Sequence, residues 1–255
     1  PGRYYFYYRP TGVMQRLATM YESLKDKQLA PVMPVRYVAR DGLTIPAYLT
    51  LPVGRRFHDL PLIVMPHGGP YARDQWHYEP WAQFLANRGY VVLQPNFRGS
   101  TGYGKGFLAK GFGQWGTGMI DDLEDGLQWL VNEGIVDPKR VCIMGASYGG
   151  YAALMGAIRM PQRFRCAISF AGVTDVGDML RYDRSFGFPE RNYMRWRRMV
   201  LGDHEQKLRD LYLIAFAREP RAEERAALLA EIERRPDDLP GAYASCQISK
   251  PRCLI

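Results

Sequence analysis

Histidine is scarce in this chain: His58, His67, His77 and His204 are the four among 255 residues. The four cysteines, Cys142, Cys166, Cys246 and Cys253, show no C-x-x-C or Cys/His ligand spacing, which excludes the common zinc sites. No apolar run approaches the ~20 residues that a membrane-crossing helix needs. Internal repeats and low-complexity blocks are also lacking, so nothing points to a fibrous or disordered chain. Cys142 and Cys166 sit inside the apolar runs VCIMG and CAISF, where a free cysteine acts as a small core residue. Reduced thiols and a cytoplasmic setting are therefore expected. The chain opens on Pro1 rather than Met and reads as a piece of something longer, so the lack of a leader segment carries no weight.

What is present is ample material for one sizeable core, with 47% hydrophobic and 13% aromatic residues. The net charge is +8, and much of the excess lies in RYDRSFGFPERNYMRWRR, Arg181 to Arg198, with six arginines. Aromatics interleave with these arginines in a way that suits an anionic ligand or nucleic acid. No nucleic-acid motif accompanies them, so a solvated helical face beside a pocket is the expectation, with no nucleic-acid and no membrane partner.

Residues 1–30 contain one hairpin signal, two strand-like runs around Pro10-Thr11-Gly12, too little to fold alone. From Pro31 apolar strands alternate with helices. PVRYVARDGLTIPAYLTLP reads as two strands around Asp41-Gly42. LPLIVMPHGGP is a strand that ends in a glycine-rich loop, and YEPWAQFLANRG is a helix closed by Gly89. YVVLQPNFRGSTGYG, MIDDLEDGLQWLVNEG, KRVCIMGASYGG, YAALMGAIRMP and FRCAISFAG then give strand, helix, strand, helix and strand. Continuous apolar strands separated by helices predict a mostly parallel sheet with helices on both faces. Past Asp175 the alternation stops, and 205–255 is mostly helical in character.

Gly145-Ala146-Ser147-Tyr148-Gly149 is G-x-S-x-G between a strand and a helix, the context in which a tight turn lifts a nucleophilic serine above a sheet. The helix start that follows suits a developing oxyanion. An ordinary glycine-rich strand-to-helix turn is the alternative. Earlier, VMPHGGPYARD ends a strand with His-Gly-Gly. An amide of such a loop, from Gly69 or else Gly68, would complete an oxyanion hole with the amide of Tyr148. His67 is a candidate general base, though a role in shaping the loop fits it better.

YVARDGLTIPAYLTLP, HGGP, NFRGSTGYG and DDLEDGLQWLVNEGIVDPKRVCIMGASYGGYAAL, in that order, resemble the catalytic domain of the prolyl oligopeptidase family of serine peptidases, in its acylaminoacyl-peptidase and dipeptidyl-aminopeptidase branch. The resemblance implies an α/β-hydrolase fold over 31–204 with its C-terminal part incomplete. It makes 1–30 a remnant of an upstream β-propeller and leaves 205–255 as a helical tail unlike the family. It further implies hydrolysis of short peptides or acyl-peptides through an acyl-enzyme on Ser147, with Tyr148 and Gly69 as oxyanion donors, NFRGSTGYG as a pocket wall, and neither cofactor nor metal. A carboxylesterase would use the same elbow.

The departure concerns the base. A serine nucleophile needs a base to take its proton and an acid to orient that base, and in this fold both follow the serine. Only His204 follows Ser147, beside Asp203. Glu219, in LYLIAFARE, is the one position that can be laid on the family's acid. A non-catalytic pseudo-hydrolase that binds an anionic or protein partner is the reading this departure favours.

Overall fold

The computed structural model describes residues 3–20, 24, 29–185, 190–202 and 226. Strands β1 (Arg3–Tyr8) and β2 (Val13–Thr19) form a hairpin that pairs only with itself among the described residues. Gly12, at φ 68, supplies the left-handed turn residue, and the Thr11 amide donates to the Tyr8 carbonyl.

The main sheet has six strands in the order β3 (Val32–Val38), β4 (Thr44–Thr50), β6 (Val91–Pro95), β5 (Leu60–Val64), β7 (Val136–Ala146), β8 (Cys166–Phe170). β3, β4 and β6 pair antiparallel, whereas β6, β5, β7 and β8 are parallel neighbours. After β5 the chain passes through helix α1 (Pro80–Asn87) to β6 on one side. It then passes through α2 (Lys105–Ala109) and α3 (Gly118–Asn132) to β7 on the other. The strand order therefore reverses at β5, and the carboxyl ends of β5 and β7 border the crevice where such sheets hold their sites.

The central strands read both faces at period two. Leu62, Val64, Val91, Leu93, Val141 and Ile143 join α3 and α4 (Tyr148–Arg159) in the larger core. The intervening Ile63, Val92 and Met144 meet Ala82 of α1 on the opposite face. Helices thus cover both faces, as continuous apolar strands require. The acids of DDLED form the hub of this packing. Asp122 of α3 is fully buried and holds Arg98 by a bond of Arg98 Nη2 to Oδ1 at 2.6 Å and of Nε to Oδ2 at 2.9 Å. Asp121 meets Arg159 at 3.0 Å, and Glu124 and Asp125 meet Arg40 at 2.6 and 2.8 Å.

Two expectations are corrected here. The apolar run CAISF suggests a buried strand, yet β8 lies at the sheet edge among the described residues, with Ile168 46% and Phe170 60% exposed. Cys142 and Cys166 are not free thiols but a disulfide. The parallel register sets them opposite each other with Cα atoms 4.8 Å apart, inside the bridging range. No strand pattern in the sequence carries that register. Beyond β8, helices α5 (Val176–Ser185) and α6 (Glu190–Leu201) carry the arginine-rich segment. Arg195 and Arg198 are exposed, and Trp196 packs edge-on against Trp115 and Tyr71. The charge pattern suggests a solvated helical face beside a pocket; the cavity beside Ser147 has no α6 residue in its lining. The tail 205–255 and the residues Asp203, His204 and Glu219 lie outside the described residues, apart from Ala226.

Candidate active site

Strand β7 ends at Ala146 and helix α4 begins at Tyr148, so Ser147 alone makes the turn. Its backbone sits at φ 56, ψ −121, a conformation that costs a non-glycine residue ~1–3 kcal/mol and persists only where the surroundings enforce it. The surroundings are glycines used for close backbone approach. A methyl on Gly145 would run into the backbone of Gly149, and one on Gly149 would run into the Pro66 carbonyl. A methyl on Gly150 would lie 2.7 Å from the Gly172 Cα. The Ser147 amide donates to the Phe170 carbonyl at 3.0 Å, and the Ser147 carbonyl accepts from Tyr151 at 3.1 Å. Ser147 is exposed at the carboxyl end of the sheet, as a nucleophile must be.

The loop after β5 stands directly against this turn. A methyl on Gly68 would sit 3.5 Å from the Ser147 Cβ and 3.3 Å from the Ala146 carbonyl. Gly69 holds φ 125 and has Tyr71 N and Ala72 N within 2.9 and 3.0 Å of where a Cβ would be, so only glycine fits. Tyr148 opens α4 and places its amide at the positive end of that helix. Its ring is buried between Phe97, Trp115 and Tyr151, which fixes the helix start.

His67 is not placed as a base. Its Nδ1 lies 2.8 Å from the Gly68 carbonyl and its Nε2 lies 2.9 Å from Ser100 Oγ, while the ring stacks on Phe97 at 4.4 Å. A carbonyl only accepts, so Nδ1 carries the proton, while the Ser100 hydroxyl, 2.9 Å from Nε2, donates to the Phe97 carbonyl at 2.7 Å. Burial pushes the imidazole down to about 4. The Gly68 carbonyl and the Gly69 N–H belong to one peptide plane, so a ring that fixes the first fixes the direction of the second. His58 is exposed beside Asp59, where the chain enters β5, at the sheet end opposite Ser147. His77 is exposed and bonded to the Tyr78 carbonyl. Among the described residues, none hydrogen-bonds the Ser147 hydroxyl.

NFRGSTGYG differs from its expected place. It braces the His-Gly-Gly loop from behind and does not line the cavity beside Ser147. Ser100 holds His67, Arg98 is clamped on Asp122 and Asp41, and Asn96 bonds both Asp74 and Tyr103. The cavity, about 220 Å³, is lined by His67, Gly68, Ala146, Trp81, Phe170 and Asp74, among others. Burial lifts the Asp74 carboxyl to about 6, and its Oδ2 is a buried oxygen with no hydrogen-bond partner among the described residues. The sequence carries no signal for Asp74, Trp81 or Phe170, because each comes from a different element. No group of three or more His, Cys, Asp or Glu among the described residues is arranged to hold a metal ion.

Comparison with known proteins gives a consistent picture. A family profile described as the prolyl oligopeptidase family matches residues 76–226. Dipeptidyl aminopeptidase BIII of Pseudoxanthomonas mexicana is 43% identical over 187 residues, which cover 71% of this chain and 27% of that protein. Acylamino-acid-releasing enzyme of Mus musculus is 30% identical over 142 residues, 52% of this chain and 19% of that one. Among solved structures, a puromycin-hydrolyzing peptidase of Mycobacterium tuberculosis superposes with a TM-score of 0.60 at 29% identity, over 67% of this chain and 27% of that chain. The chain spans about a quarter of the length of the first and last of these.

Proposed function

The chain belongs to the prolyl oligopeptidase family, and from that premise we propose that it carries the nucleophile half of a serine peptidase acting on short peptides or acyl-peptides. Ser147 attacks the scissile carbonyl, the amine leaves, and water hydrolyses the acyl-enzyme. The Tyr148 and Gly69 amides hold the developing oxyanion, each donor contributing ~3 kcal/mol in the transition state. The observation that carries the reading is the strained turn of Ser147 against Gly68. In the same reading 31–204 is the hydrolase domain, 1–30 the end of an upstream propeller, and the protein acts in the cytoplasm without a cofactor. Relatives named as a dipeptidyl aminopeptidase and an acylamino-acid-releasing enzyme support a peptide substrate. No helix among the described residues is long and apolar enough to cross a membrane.

The test is labelling of the folded chain with a fluorophosphonate probe, followed by mapping of the adduct. A single adduct on Ser147, lost in Ser147→Ala, is expected. A folded chain that takes no label favours instead the second reading, a pseudo-hydrolase that binds its partner without turnover.

A further inference from the structure

We propose that the Cys142–Cys166 bond is a thiol–disulfide exchange site at which a dithiol reductant loosens the strand that supports Ser147. Cys166 is exposed, and Cys142 is half-buried on the neighbouring strand. From the bond the ladder runs straight to the turn, through the pairs Met144–Ile168, Gly145–Ser169 and Ala146–Phe170. It ends in the hydrogen bond from the Ser147 amide to the Phe170 carbonyl. Beyond it Gly150 packs on Ser169 and Gly172, so β8 supports both the nucleophile and the first turn of α4.

Among the described residues, little apolar burial holds β8 in place. Of its five residues only Ala167 is not exposed; Ile168 is 46% and Phe170 60% exposed, the latter at the cavity rim against Trp81. A covalent link between strands is a large share of the attachment of such an element, and its loss releases local opening ahead of global unfolding. The link is also reachable. A reductant thiolate attacks the exposed Cys166 sulfur, the S–S bond breaks, and its electron pair leaves with Cys142 as a thiolate that is then protonated. The second thiol of the reductant attacks the mixed disulfide and releases the Cys166 thiol. The protein gains two thiols and the reductant becomes a disulfide. In a reducing compartment disulfides are mostly transient or redox-sensing.

The effect on hydrolysis rests on the proposed function, whereas the exchange and the loosening do not. In the test, the purified chain is titrated with dithiothreitol. Thiols are counted by alkylation and mass spectrometry, and amide hydrogen exchange is followed by segment. Expected on reduction is alkylation of both Cys142 and Cys166, with exchange ~10-fold faster or more over 166–170 and at Ser147. Residues 60–64 and 118–132 stay unchanged. Cys166→Ser exchanges at the fast rate with or without dithiothreitol. Complete reduction with unaltered exchange at Ser147 overturns the proposal. So does acceleration spread evenly along the chain, or an oxidised protein in which the two cysteines are free. Fluorophosphonate labelling is recorded in parallel. A label that slows on reduction extends the switch to reactivity, and a label absent in both states argues against the hydrolase reading while the exchange result stands.

Discussion

Ser147 leans on two unlike supports. On the side of β5 and β6 stand buried groups in a closed set of bonds: Asp122 to Arg98, Ser100 to His67, His67 to the Gly68 carbonyl. On the other side stands β8, an exposed strand among the described residues, tied by a disulfide, a short ladder and the close approach of Gly150 to Ser169. The first support is built from desolvated polar groups that tolerate no loss, because each would leave a partner unsatisfied. The second is built from contacts that water can replace. The turn is thus held rigidly on the side of the His-Gly-Gly loop and adjustably on its far flank.

Three changes probe this contrast, beginning with the harshest. Asp122→Ala leaves the Arg98 guanidinium buried with only the exposed Asp41 to meet it. Loss of ~3–5 kcal/mol in urea unfolding is expected, as for other broken buried ion pairs. A loss below ~1 kcal/mol would show that the brace is not needed. Phenylalanine truncation then compares the two sides with one chemistry. Phe97→Ala, at a fully buried ring against His67, is expected to cost ~3–5 kcal/mol, whereas Phe170→Ala on β8 costs ~1 kcal/mol or less. Equal costs would erase the distinction.

The mildest probe is pH. The His67 imidazole titrates at about 4 when folded, below its value near 6.5 when unfolded. The unfolded chain therefore binds more protons between those values. The contribution is fully present above pH 6.5 and is lost as pH falls toward 4, up to ~3 kcal/mol. His67→Gln should flatten that part of the stability curve. An unchanged slope would mean that the ring is not held neutral.

Much of this was legible in the sequence, and the reasons differ by element. The G-x-S-x-G turn is local: Gly145, Gly149 and Gly150 announce close backbone contacts, and the flanking apolar runs name the strand and the helix. His-Gly-Gly was readable for the same reason, since Gly69 marks a backbone that only glycine adopts. What the chain order cannot express is lateral neighbourhood. The Cys142–Cys166 bond depends on the register of β7 against β8, and the turn of NFRGSTGYG toward Asp122 depends on where α3 crosses the sheet. The exposure of Ile168 and Phe170 was hidden as well, because an apolar strand reads the same at an edge as at the centre.

The contact of Gly149 with the Pro66 carbonyl has a wider consequence. It sets the gap between the Ser147 turn and the loop after β5 by the approach of two backbones. Neighbouring positions such as Trp81 and Phe170 are then free to drift without moving Ser147 relative to the loop. Variation of the cavity wall and preservation of the turn's geometry become separable problems, and the glycines, together with the His67 and β8 supports, carry the second.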